Sequence, residues 1–225
     1  MKTILLLILL LLPANGFTED LPIETIRNCY YQSYQHERQN RYTDAIQDLK
    51  PVYQMYKNTY TVNYRLGWLY YLNNNYANAL YHLENAQMAI PSSKEVVIIM
   101  ILVYQAKADW ESVERLAVTI LKNDFYHMNG NYWYVVSLKM QGKYELAQKV
   151  SNKMLTMNPT SIMFLQELGE NLYLNQQMEE SMTVFNNLLI LSQENPTALY
   201  YLKKMSPHNL TNVSTNQPQP STNAK

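Results

Sequence analysis

Residues Tyr60 to Pro91 read YTVNYRLGWLYYLNNNYANALYHLENAQMAIP. Two apolar-rich stretches flank the polar turn Asn73-Asn74-Asn75. In the second stretch, Tyr76, Ala79, Leu83 and Ala86 recur at spacings of three, four and three, which is the period of one face of an α-helix. In the first, Leu66 and Gly67 are followed one turn later by Tyr70. Pro91 closes the unit, because proline lacks the amide donor and disfavours helix in the residue before it. The stretch predicts helix, short turn, helix.

The same unit recurs on both sides. Ala45, Ala79, Val113, Ala147 and Ser181 stand at intervals of thirty-four residues, and three residues before each stands a bulkier one: Tyr42, Tyr76, Trp110, Tyr144 and Met178. A period of that length marks a stacked array, in which no unit buries its apolar face alone. The repeats fall at 26–59, 60–93, 94–127, 128–161 and 162–195. Gly67 and Ala79 are expected where the paired helices cross, since a large side chain there pushes the axes apart. Leu83 is expected to fill the gap toward the next unit.

The copies are uneven. Unit three has Met100, Tyr104, Trp110, Val113 and Ile120, but Ile101 takes the small slot. Unit four has Leu138, a turn at Gly142, Tyr144, Ala147 and Pro159, with Ser151 where bulk is expected. Unit five has Leu168, Gly169, Leu172, Ser181, Phe185 and Leu188, then a longer exit to Pro196. In unit one Ser33 and Ala45 fit, Gln32 and His36 are polar where apolar side chains are expected, and Pro51 predicts a kink or break in the second helix. Ala198, Leu199, Tyr201 and Leu202 predict a capping helix within 196–205 that covers the apolar end of unit five.

This pattern resembles the tetratricopeptide repeat. That family places a large then a small residue in helix one, an aromatic a turn later, a small residue early in helix two, then a bulky one, a small one and a proline. Leu66, Gly67, Tyr70, Ala79, Leu83, Ala86 and Pro91 fill those slots, and the resemblance covers residues 26–195. It implies an all-α, right-handed solenoid of five helix pairs plus a cap. The chain most resembles exported, periplasmic bacterial members. The function this implies is a non-enzymatic adaptor or assembly scaffold that binds a protein or peptide.

In such arrays the first helices line a concave groove. Carried over, the lining slots are Tyr30, Tyr34, Tyr64, Arg65, Trp68, Tyr71, Tyr132, Trp133, Lys139 and Tyr173, with Ile98 and Leu102 between them. Tyr64, Trp68 and Tyr71 share one stripe of one helix. Such a stripe is suited to clasping an extended segment, with hydroxyls and Arg65 fixing its backbone. Trp68 and Trp133 fall beside the buried slots and are the expected exposed anchors; packing of the rings on one another is the competing use. Two other readings remain open: a carbohydrate-binding subunit of a cell-envelope system, with rings stacked on glycan, and a structural oligomeriser acting through its ends. Tyr30, Tyr34 and Tyr64 stand where the chaperone-tail clamp of some members has Lys or Asn, which argues against that subclass.

Composition narrows the rest. Lys plus Arg and Asp plus Glu number 18 each, so the surplus of cations that nucleic-acid binding needs is missing. Only 5 glycines are present, which disfavours phosphate-binding loops. His36, His82, His127 and His208 lie in separate units or the tail without zinc-site spacing, and Glu179-Glu180 opens a second helix, where carboxylates meet the positive end of its dipole. No catalytic, metal or cofactor residue is expected. Cys29, the single cysteine, is expected to be a small buried hydrophobe.

The N-terminus starts Met1-Lys2, continues as an apolar run over Ile4–Leu12, and reaches Pro13 and Ala14-Asn15-Gly16. The run is too short to span a bilayer and predicts a secretory signal over 1–16, with Phe17 as the mature start and 17–25 as a lead-in. Export to the periplasm is expected, with secretion as the alternative, and no other stretch is a membrane-span candidate. Residues 206–225, rich in Asn, Thr, Ser, Pro and Gln, predict a disordered tail. Within it Asn209 and Asn212 fit the glycosylation acceptor pattern, as composition alone explains.

Overall fold

A computed structural model describes residues 20–206. The signal segment 1–16, His208, the tail beyond Ser206, and Asn209 and Asn212 lie outside the described residues. Those residues hold twelve helices and no strand. The chain divides into two compact units, one up to Lys57 and one from Asn58.

The first unit holds α1 (Ile23–Arg38), α2 (Tyr42–Asp48) and α3 (Lys50–Met55). The break between α2 and α3 is the one Pro51 predicts. Leu49 stays buried at 0 % exposure, its amide bonds Ile46 at 3.2 Å, and Pro51 sits in the first turn of α3, where a missing amide costs nothing. The polar slot at His36 is explained too: its Nδ1 lies 2.6 Å from Asp48 Oδ2, a hydrogen bond inside the hairpin. Cys29 is half-buried. Burial and the nearby Asp48 carboxylate push its thiol above the usual range, which suppresses the thiolate.

The second unit is four helix hairpins and a closing helix. The pairs are α4 (Tyr60–Leu72) with α5 (Tyr76–Ala89), α6 (Lys94–Ala106) with α7 (Trp110–Asn123), α8 (Met128–Met140) with α9 (Tyr144–Met157), and α10 (Ile162–Leu174) with α11 (Met178–Leu191); α12 (Pro196–Met205) follows. Each of the bulky residues at the thirty-four-residue interval opens a second helix. Ala45, Ala79, Val113, Ala147 and Ser181 are all fully buried.

The turn inside every hairpin is the same device. The second residue past each first helix has positive φ: Asn40 at 59°, Asn74 at 56°, Ala108 at 55°, Gly142 at 74° and Gln176 at 63°. The next residue's amide then reaches back five residues. The bonds Arg41→His36, Asn75→Tyr70, Asp109→Tyr104, Lys143→Leu138 and Gln177→Leu172 are each 2.9 Å. This is the Schellman closure, which satisfies carbonyls left open at the helix end.

The crossings explain the two apparent misfits. A Cβ placed on Gly67 meets Leu83 Cγ at 2.6 Å, and one on Gly169 meets Phe185 at 2.7 Å. Ile101 occupies the same slot as those glycines, and its opposite number is Ala117, in one buried cluster with it. In unit four Val135 corresponds to Gly67, and Ser151 corresponds to Leu83; both are fully buried. Volume is shared across each hairpin, large on one helix and small on the other, so the interior fills at native density whichever helix carries the bulk.

Core clusters pass from pair to pair. Ala79, Leu83 and Ala86 pack with Val96, Ile99, Met100 and Val103 of the next pair, and Val135, Leu138 and Met154 pack with Phe164. At the C-terminal end Ala198 and Met205 of α12 join Phe185 and Leu188, and Tyr201 stacks on Phe185 with centroids 5.2 Å apart. The cap expected from sequence covers the last hairpin, although Leu199 itself points outward at 48 % exposure.

Candidate functional site

The first helices α4, α8 and α10 carry eight of the ten candidate groove residues, and α6 carries Ile98 and Leu102 between them. Tyr30 and Tyr34 belong to α1 of the first unit, where Tyr30 is half-buried and Tyr34 is exposed.

On α4 the aromatic stripe is held by its own packing. Tyr64 stacks on Tyr60 at 5.6 Å with planes 14° apart, and Trp68 lies 5.5 Å from Tyr71. All four rings are partly buried against the cluster built on Leu83 and Val96. On α8, Tyr132 and Trp133 meet edge to face at 5.2 Å. Trp133 also packs on the Ile101 cluster, and Tyr132 on the Val135 cluster. Trp68 and Trp133 are thus half-buried rings that present one part to solvent and root the other in the core. Ile98 and Leu102 are also half-buried.

Two expected cations behave differently from the sequence reading. Arg65 is only 5 % exposed, so its guanidinium is part of the interior and offers nothing to a segment lying in the groove. Lys139 is closed into an ion triad. Its Nζ lies 2.8 Å from Glu167 and 2.6 Å from Glu170, with side-chain exposures of 13 %, 4 % and 14 %. Burial pushes Glu167 above the usual carboxylate range despite the pull of Lys139. Burial alone would lower Lys139, yet its two carboxylates outweigh that and hold the ammonium above its ordinary value.

Tyrosines surround this triad. Burial, reinforced by Glu167, raises the Tyr132 phenol, and burial with Glu170 raises Tyr201. Tyr173 meets Tyr201 edge to face at 4.8 Å, so α12 partly covers it. Glu167, Glu170 and Tyr201 are therefore site residues that the sequence reading missed. The signal for the carboxylates is spacing: Lys139 and Glu170 lie thirty-one residues apart, and the less buried pairs Lys94–Asp124 and Glu114–Lys143 repeat that interval within two residues. Opposite charges slightly less than one period apart meet across neighbouring pairs.

The three described histidines have structural partners. His36 pairs with Asp48, His82 with Asn63 at 2.9 Å, and His127 accepts from the Gly130 amide as the cap of α8. Among the described residues no group of three His, Cys, Asp or Glu side chains is placed to hold a metal ion, and no helix is long and apolar enough to cross a membrane.

Stacked hairpins with interlocked crossings define a helical-repeat architecture. The structure is similar to that of a tetratricopeptide repeat protein from Parabacteroides merdae ATCC 43184, at TM-score 0.74 and 14% identity over 87% of this chain and 81% of that one. It is also similar to MamA from Desulfovibrio magneticus RS-1, residue 41 to the end, at TM-score 0.68 and 13% identity over 77% and 98%. A further crystal structure of MamA gives TM-score 0.66 at 15% identity over 77% and 94%. The chain has the tetratricopeptide-repeat fold. No protein-family model and no curated protein matches its sequence.

Proposed function

We propose that this chain is an exported, non-enzymatic adaptor or assembly scaffold, which holds a segment of another protein along the first helices of its second unit. The observation that carries the reading is the row Tyr64, Trp68, Tyr71, Tyr132 and Trp133. These rings are fixed by packing on one side and open on the other. Rigid rings give contact area at little cost in side-chain entropy, which is what an interaction surface requires. Toward α10 the only charges are those of the closed Lys139–Glu167–Glu170 triad, which are paired with one another and buried, so the segment that suits this face is apolar along the rings. The apolar run before Pro13 supports export to the periplasm.

A photo-crosslinking amino acid at position 68 or 132 of the full chain, expressed in its native host, tests the reading. Protein adducts from those positions and none from Glu84, exposed on α5, are expected. Adducts only from Glu84, or glycan adducts alone, overturn it. N-terminal sequencing of the exported chain should begin at Phe17; a chain retained inside the cell with Met1 present overturns the export part alone.

A further inference from the structure

A second site lies away from the aromatic face. Between the second helices α7 and α9, with α8 beneath, is an open cavity of about 420 Å³. That volume is within the range of small-molecule sites. None of the ten groove candidates lines it. Its apolar surface comes from Val118, Leu121 and Val150, with the Phe125 and Tyr134 rings at its edge. Phe125 is 60 % exposed, an unusual position for a ring whose burial the fold would reward.

The polar part is of one sign. Lys122, Lys149 and Lys153 line the cavity and no carboxylate does. Three other lysines of the unit are neutralised: Lys94 by Asp124, Lys143 by Glu114, and Lys139 by two glutamates. Lys153 has only neutral partners. Its Nζ donates to Asn131 Oδ1 at 2.6 Å and to the Phe125 carbonyl at 3.2 Å, and stands 3.8 Å over the Phe125 ring. Asn131 is itself fully buried and fixed by bonds from its Nδ2 to the Phe125 and His127 carbonyls at 3.0 Å each. The ammonium is therefore aimed by a built framework, without the counter-charge that a partly desolvated cation favours.

We propose that this cavity binds a small apolar anion: an aryl or alkyl body against Val118, Leu121 and Val150, with a carboxylate or sulfonate held by Lys153 and by Lys122 and Lys149 at the rim. The charge complementarity is local, since the chain as a whole is neutral. The assignment does not depend on what the aromatic face binds.

The probe is 8-anilinonaphthalene-1-sulfonate, with the uncharged N-phenyl-1-naphthylamine as control, titrated into the full chain by fluorescence. One molecule of the anionic dye per chain is expected, weakening with added salt. Lys122→Gln combined with Lys149→Gln changes only exposed side chains. It should weaken the anionic dye about tenfold and leave the neutral dye unchanged. Val118→Asp, which puts a charge on the apolar wall, should weaken both, with the far-ultraviolet circular dichroism confirming the helices. Anionic-dye affinity that is indifferent to the lysine pair, or to Val118→Asp in a folded chain, overturns the assignment.

Discussion

Repeats two and three solve one packing problem in opposite ways. In repeat two the first helix is bare at Gly67 and Leu83 reaches across from the second; in repeat three Ile101 reaches across and Ala117 is bare. One turn away the two also differ. Repeat two buries Asn63 and His82, hydrogen-bonded at 2.9 Å with His82 stacked on Tyr70, where repeat three has Val97 and Leu116 beside Tyr104. The interhelical distance belongs to the summed volume of a pair of slots. A residue-by-residue match to a repeat pattern scores Ile101 as an error, whereas the pair Ile101–Ala117 is as well packed as Gly67–Leu83.

The sharpest break in this comparison comes from removing the bulk without replacing it. Leu83→Ala should destabilise by about 2–5 kcal/mol, since Leu83 is fully buried in the cluster with Val96 and Met100 and the glycine opposite cannot fill the space it leaves. Gly67→Ile alone should cost roughly 1–3 kcal/mol or more by overpacking, because even a Cβ there meets Leu83 Cγ at 2.6 Å. Together the two changes rebuild the arrangement of repeat three. The double variant should be more stable than the sum of the singles by about 1–3 kcal/mol. Urea melts of all four proteins read this, and strict additivity would refute shared volume.

Acid separates the repeats next. Burial pushes the His82 imidazole down to about 4. The folded chain then refuses a proton that the unfolded chain accepts. Stability is full above the ordinary histidine value of 6.5 and is lost as pH falls from there toward 4, by up to ~3 kcal/mol. The neutral ring donates from Nδ1 to Asn63 Oδ1, whose Nδ2 donates to the Thr59 carbonyl at 2.8 Å. Asn63→Val with His82→Leu copies the residues of repeat three into repeat two. The difference in stability between pH 7 and pH 5 should shrink in that variant, while the steeper loss below pH 4 that comes from carboxylates persists.

Repeat four offers a smaller effect at the same slot as Leu83. Ser151 is fully buried with no hydrogen-bond partner for its hydroxyl, opposite Val135. Ser151→Ala keeps the small volume and removes the unpaired group, so it should stabilise by about 1 kcal/mol. A loss of stability in thermal melts would mean that the hydroxyl is satisfied in solution.

How much of this was legible follows from the range of each signal. The helix pairs could be read from Tyr60 to Pro91 because helical period and proline are local, and the thirty-four-residue interval multiplies the same signal. Pro51 broke its helix for the same local reason. The exchange of bulk between Ile101 and Ala117 needed two slots sixteen residues apart to be read together, and it looked like a fault when each was judged alone. Arg65 fits a groove slot by repeat position, but its burial is a tertiary property that repeat position does not carry. The partners of Lys139 were hidden because Glu167 and Glu170 lie in the next pair, and nothing local to Lys139 announces them. Cys29, expected from its slot to be buried, is only partly so.

The smallest effect distinguishes the turns of the two repeats. Asn74 and Ala108 occupy the same left-handed position, at φ 56° and 55°, and both close the same 2.9 Å bond. Asparagine tolerates that region because its short amide can bond locally, and glycine has no Cβ to clash, but alanine pays the steric cost with nothing in return. Ala108→Gly should therefore stabilise by roughly 0.5–1 kcal/mol, and Gly142→Ala, at φ 74° in the corresponding turn, should destabilise by about as much. Both sites are exposed, and a Cβ on Gly142 meets nothing within 4 Å, so packing does not contribute and backbone strain is isolated. If Ala108→Gly lowers the melting temperature, the entropy that glycine adds to the unfolded chain outweighs the strain relieved, and the five turns are not energetically equivalent despite their common geometry.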